Sequence, residues 1–197
     1  AAWLKDLAYK FNVEAMVIDG NGLGVGLLDF MTIESVHPIT REVFPPIGSM
    51  NDPDMLSKQP YEAERLIYVI KAGNNAGDIH MNCLNQVYTG NVKFLIDDRN
   101  ARDLLMNTKK GQRMSMEERE TWIQPYQLTT ILLNEMTNLR MDTTNQRILK
   151  LVKINNRLSK DKFSALEYGL WYIKTKEEKY YDKRSKNRQW ASFVMGG

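Results

Sequence analysis

The sequence has a single cysteine, Cys83, and two histidines, His37 and His80. One cysteine excludes an internal disulfide and a cysteine-rich zinc knuckle. Two histidines leave little for a histidine-built zinc site. No run of about 18 apolar residues occurs, so no membrane partner is expected. Nor do the first residues read as a basic-then-apolar secretory leader, and the expectation is an intracellular protein. The opening AAWLKDLAYKFN has no initiator Met and reads as the middle of something, with a helix already under way. No G-K-[ST] tripeptide follows the one glycine-rich run, which argues against a nucleotide P-loop.

What is present suffices for a packed core. The 197 residues and 22.9 kDa, 43% hydrophobic and 26% charged, suit one domain, or one with an appendage. Charge is unevenly divided. Residues 1–98 carry 7 basic and 13 acidic side chains, whereas residues 99–197 carry 20 and 11. An acidic front and a basic back suit a polyanion held beside catalytic or metal-binding carboxylates, with ordinary surface charge as the plain alternative.

Trp3, Leu4, Leu7, Ala8 and Phe11 recur at helical spacing, which predicts a helix over 1–11. The run VEAMVID then reads as a strand ending at Asp19, expected to be central, parallel to its neighbours and buried on both faces. A glycine loop, GNGLGVG, leads into a helix carrying Leu27, Leu28, Phe30 and Met31. This is α/β grammar. Five of the six prolines fall within 37–60, which predicts a loop or insertion there. Strands are expected at LIYVI (66–70), VKFLI (92–96) and ILKLVKI (148–154). Helices are expected at 78–89, 99–107, 118–141 (with Pro125 as a kink or restart) and 159–174. Residues 108–118 read as polar and mobile, and 174–188, with seven basic and three acidic residues, as a solvated tail.

Asp19 closes a predicted parallel strand, at the sheet edge where open α/β folds bind ligands. A carboxylate there suits a divalent cation, which wants hard oxygen donors. The alternative is a cap on the following turn. Gly20, Gly22, Gly24 and Gly26 are out of register for a dinucleotide loop, and tight turns explain them more simply. Asp161, behind the plausible cap Ser159, either complements a helix dipole or faces a metal, flanked by Lys160 and Lys162. Nothing local decides between them. Asp97 and Asp98, read as ending a strand, and Asp29 are secondary candidates, more often caps or surface residues. His80 reads as a structural residue on a helix face.

The stretch AMVIDGNGLGVGLLDFM (15–31) closely resembles the nuclease domain of bacteriophage large terminase subunits. There an apolar strand leads into Asp-x-Asn-Gly-x-Gly and a helix with a further Asp; here these are Asp19, Asn21, Gly22, Gly24 and Asp29. The likeness continues through YVIKAG (68–73), NVKFLID (91–97) and KDKFSALEYGLWYI (160–173). The resemblance implies an RNase H-like mixed sheet flanked by helices over residues 1–175, with a basic tail over 176–197. It implies a metal-dependent endonuclease that cuts concatemeric double-stranded viral DNA using two ions of Mg²⁺ or Mn²⁺, within an oligomeric packaging motor. Its partners would be the terminase small subunit and the portal protein, in the host cytoplasm. Asp19 and Asp161 would be the middle and last catalytic acids and metal ligands. The family's first acid lies on an opening strand that would precede Ala1, so the resemblance implies that the first strands and the ATPase domain are lacking here. Relatives often carry Asp-Asp or His-Asp-Asp where this chain has Lys160-Asp161-Lys162. Lys153, Arg157, Lys160 and Lys162, with Lys183, Arg184, Lys186 and Arg188 of the tail, are the expected DNA-phosphate contacts. A non-catalytic DNA-binding or motor-docking module of the same fold is the alternative.

Overall fold

The computed structural model describes the backbone of residues 1–21, 23–142 and 150–194; the side chains of 23–25, Asn74 and 183–194 lie outside that description. The fold is mixed α/β and divides into two compact units. The first comprises Ala1–Gly73 with the chain from Trp171 onward, and the second Asn74–Leu170.

The first unit opens with helix α1 (Ala2–Lys10), strand β1 (Met16–Asp19) and helix α2 (Leu23–Met31). Leu23 starts the helix, so Gly24 and Gly26 belong to α2 and not to the loop expected from the glycine run. Next come β2 (Ser35–Val36), β3 (Val43–Phe44), β4 (Ile47–Ser49), α3 (Pro53–Lys58) and β5 (Glu64–Ile70). Strands β1, β5 and β4, in that order, form a wholly parallel sheet, while β2 and β3 pair as a small antiparallel ladder.

Two expectations are corrected here. The central strand is β5, and β1 is an edge strand, half-buried along most of its length. The proline-rich stretch is ordered structure, because its prolines sit at element boundaries. Pro45 and Pro46 separate β3 from β4, Pro53 opens α3 behind the N-cap Asp52, and Pro60 follows its C-cap Gln59. At the first position of a helix a missing N–H costs nothing.

The core of this unit gathers Ala8, Leu28, Met31, Ile47, Met55, Ile67 and Val69. Lys5 is enclosed beside it, its ammonium donating to the carbonyl oxygens of Ile33 (2.5 Å) and Pro45 (2.9 Å). Burial lowers the Lys5 pKa against an opposing pull from Glu34. Asn51 extends the sheet beyond β4. Its amide donates to Val69 O and its Oδ1 accepts from Val69 N–H, both at 2.8 Å, reproducing a strand partner's hydrogen bonds with one side chain.

The second unit contains α4 (Ala76–Tyr88), α5 (Asp98–Met106), α6 (Lys109–Arg113), α7 (Met116–Thr137), β6 (Leu139–Asp142) and β7 (Lys150–Lys153). Helix α8 (Asp161–Val194) begins in it and continues into the first unit's portion of the chain. Among the described residues, 92–97 join no strand ladder. Leu95 and Ile96 are exposed, and Asp97 caps α5. The polar 108–118 stretch is helical. Thr108 caps α6, and the Arg119 guanidinium donates to the carbonyls of Gly111 and Gln112. A capping box of Ser115 and Glu118 starts α7, which keeps Pro125 inside and stops at Asn138. Residues 139–141, expected as helix, instead pair antiparallel with β7 as β6.

The expected mixed sheet is thus, among the described residues, one parallel sheet and two antiparallel ladders. Helix α8 runs through 175–176, where a tail was expected to begin. No proline or glycine occurs between Leu170 and Met195, and charged residues such as Lys174 and Glu178, 3.8 Å apart, are good helix formers. No helix among the described residues is long and apolar enough to cross a membrane.

Candidate functional site at the carboxyl edge of the parallel sheet

Because β1, β4 and β5 are parallel, their carboxyl ends share one edge of the sheet. Asp19 ends β1 directly opposite Ile70 of β5 and is exposed. Its Oδ1 accepts from the backbone N–H and the side-chain amide of Asn21, both at 3.0 Å. This local turn fixes the carboxylate's direction.

Gly20 continues the pairing, its N–H donating to Ile70 O at 2.7 Å. A Cβ at Gly20 would lie 2.5 Å from Val69 Cγ1 and 2.9 Å from Lys71 Cγ. A side chain at this position would force Val69 or the Lys71 stem to shift.

Lys71 leaves the end of β5 and reaches Asp52, with Nζ 2.7 Å from Oδ2, while Asp54 stands at 3.8 Å. Asp52 is nearly buried, and its Oδ1 accepts from Met55 N–H at the start of α3. The Lys71 ammonium holds the Asp52 carboxyl below the usual carboxylate range, and Asp52 in turn raises Lys71. Gly20, Asp29, Asp52, Asp54, Lys58 and Lys71 help to line a cavity of about 190 Å³ at this edge. Asp29, on α2, is exposed there.

The cavity lining offers carboxylate oxygens from Asp29, Asp52 and Asp54 and contains neither thiol nor imidazole, while Asp19 ends β1 outside that lining. Such donors suit Mg²⁺ or Mn²⁺ in kind. Among the described residues, no three His, Cys, Asp or Glu side chains come together as a complete metal-holding group.

The remaining candidates lie in the second unit or along α8. Asp161 occupies the first turn of α8, exposed, with its N–H donating to Ser159 Oγ at 3.0 Å. It belongs to a different compact unit from Asp19. Asp97 accepts from the N–H groups of Arg99 and Asn100, and those bonds, Asn100 first, lower its pKa. Asp98 accepts from Thr130 Oγ at 2.7 Å, tying α5 to α7. Both follow the capping and structural alternative rather than ending a strand.

Lys153 donates to the carbonyls of Asn156 and Leu158, so its ammonium shapes the 154–160 loop. Lys162 lies 3.9 Å from the buried Glu135, which itself accepts from Phe163 N–H. Arg157 is exposed and Lys160 half-buried. Lys183, Arg184, Lys186 and Arg188 lie outside the described side chains. His80 is structural as read, its Nδ1 2.6 Å from the buried Glu167.

The sequence reading missed Lys71, Asp52 and Asn51. The string Asn-Asp-Pro-Asp carried a signal for Asp52, since Asp before Pro marks a helix start. No local pattern announces that Lys71 will cross Gly20, since that contact joins residues 51 positions apart. Compared with family models, curated proteins and solved structures, the chain finds no match in any of the three.

Proposed function

We propose that this chain is the metal-dependent endonuclease domain of a viral DNA-packaging terminase, hydrolysing phosphodiester bonds of concatemeric double-stranded DNA on an RNase H-like scaffold. The observation that carries the reading is Asp19: an exposed carboxylate at the carboxyl end of a parallel strand, followed by Asn-Gly-x-Gly and a helix.

In this reading Asp19 holds Mg²⁺ or Mn²⁺, and Asp161 is a further acidic candidate that the resemblance supplies. Ions held there would supply an acidified water and offset charge that builds on the phosphate. The chain's own part is to fix the carboxylates. Asn21 orients Asp19 through two hydrogen bonds, and Ser159 starts the helix that presents Asp161. Arg157, Lys160 and the basic residues of α8 would meet backbone phosphates without reading sequence. Terminase small subunit and portal are the partners this role requires, in the host cytoplasm.

The test is cleavage of supercoiled plasmid with Mn²⁺ by the parent chain and by Asp19→Asn. The amide keeps an oxygen that Asn21 can donate to, so folding is retained while the anionic ligand is lost. Loss of cleavage with unchanged circular dichroism is expected. If parent and variant bind DNA equally and neither cleaves, the chain is a DNA-binding or docking module instead.

A further inference from the structure

The two faces of the first unit's parallel sheet differ in what covers them. Side chains alternate along a strand, and residues in register on neighbouring parallel strands share a face. Met16, Ile18, Ile67 and Val69 belong to the core cluster or pack against it, on one face. Val17, in register with Tyr68, belongs to the other face, and so does Asp19, two residues beyond Val17. On that second face the Tyr68 ring meets Tyr172 of α8, centroids 5.0 Å apart and planes inclined by 58°. Asp19 therefore emerges on the tyrosine face, its backbone about 8 Å from that of Tyr68 on ordinary strand spacings.

A cavity of about 150 Å³ lies where α8 crosses this face. The half-buried rings of Tyr68 and Tyr172 line it together with Met50. Met50 follows β4 and Asp19 ends β1, so the cavity and the carboxylate flank the middle strand, with Asp19 outside the lining. Tyr172, Thr175, Lys176 and Lys179 recur at helical spacing, so one stripe of α8 supplies a ring, a hydroxyl and two lysines. Thr175 Oγ1 gives its hydrogen to Trp171 O at 2.9 Å, which leaves that oxygen only as an acceptor. Lys176 is paired with Glu14, whereas Lys179 is exposed and, among the described residues, has no ion-pair partner.

Ring faces, an oxygen acceptor and an unneutralised cation are the complement of one nucleotide, which brings a flat base with N–H donors and a phosphate. A duplex is too broad to enter a space of this size, so a base that enters it is unpaired. We propose that this cavity is a subsite for an unpaired nucleotide of the DNA strand that leads to Asp19, its base packed against Tyr172 and Tyr68 and its phosphate met by Lys179. The proposal rests on the nuclease reading for what lies beyond the subsite, and it adds a locally opened strand to that reading's substrate. Stacking on a ring accepts every base, which suits a site that reads no sequence. The competing account is that the two rings only fill space between α8 and the sheet.

Fluorescence anisotropy of the full chain without metal, on a labelled oligothymidine and on a blunt duplex of equal length, separates the two accounts. The parent should bind the oligothymidine. Tyr172→Leu should weaken that binding about tenfold and duplex binding less than about twofold, while Tyr172→Phe, which keeps the ring, should stay within about threefold of the parent. Lys179→Ala changes an exposed side chain, so folding is not at stake. It should lower the slope of log affinity against log salt by about 0.7, the share of one phosphate on a single strand. Parental affinity in Tyr172→Leu, equal losses on strand and duplex, or a Tyr172→Phe variant as weak as Tyr172→Leu overturns the subsite. An unchanged salt slope in Lys179→Ala, or a parent that does not bind the oligothymidine, overturns it as well. In each of those cases plasmid cleavage by the parent, lost in Asp19→Asn, leaves the nuclease reading standing. A parent that binds as expected but never cleaves plasmid removes the nuclease reading and keeps the nucleotide site.

Discussion

The Lys5 ammonium donates to the carbonyl oxygen of Ile33 at 2.5 Å, joining the first helix to a segment 28 residues further on with no exposed surface on the lysine. A second carbonyl, that of Pro45, completes the enclosure. An apolar side chain of similar length fills the volume but strands both acceptors. Lys5→Met should therefore destabilise the chain by about 2 kcal/mol, the usual scale for hydrogen bonds to a charged group. Urea unfolding should show a lower midpoint with an unchanged slope.

Gly20→Ala should be costly for its size. The added methyl would sit 2.5 Å from a γ-carbon of the buried Val69 and 2.9 Å from Lys71 Cγ. The lysine stem can yield, but the valine sits in the core. A loss of about 1–3 kcal/mol is expected from such overpacking. A variant as stable as the parent would refute the close approach.

Asp52 predicts an acid-side dependence of stability. The folded chain holds its carboxyl below the ordinary 3.8, chiefly through the bond from Lys71. Its contribution is therefore complete above 3.8 and is lost as pH falls through the lower, folded value. Parent and Asp52→Asn should differ in melting temperature at pH 6. The gap should narrow as the solution is taken below pH 3.8.

Cys83 should be inert in the folded chain. It is buried, and desolvation, with the Glu167 charge adding to it, pushes the thiol up to about 11. A thiol-reactive dye should label it only as fast as the chain opens, and at once in denaturant. Rapid labelling of the native chain would contradict its placement.

Binding of double-stranded DNA should weaken steeply with salt, since each neutralised phosphate releases counterion. Replacing Lys183, Arg184, Lys186 and Arg188 by Ala should lower affinity equally for two unrelated duplexes and reduce the salt slope. Fluorescence anisotropy across several salt concentrations measures both. An unchanged slope removes these four residues from the phosphate track.

Local chemistry alone determined much of this molecule. Apolar spacing marked α1, and the short apolar runs marked β1 and β5. The place of Asp19 at a strand end was legible because strand, Asp and glycine follow in sequence. Tertiary structure decided what depends on partners distant in the chain. The VKFLI run has strand composition, but among the described residues it finds no neighbouring strand, so its apolar residues alone form no ladder. The 139–142 segment, next to a long helix, turned to strand because β7 was there to pair with it. Asp97, Asp98 and Asp161 look alike in sequence, but the first caps α5, the second ties α5 to α7 and the third stands exposed at the head of α8. Lys71 became a neighbour of Gly20 only through the parallel pairing of β1 with β5, and Asp52 became its partner only through the parallel pairing of β4 with β5. Backbone preference is set by neighbours along the chain, whereas hydrogen-bond ladders and ion pairs need a partner that only the completed sheet supplies.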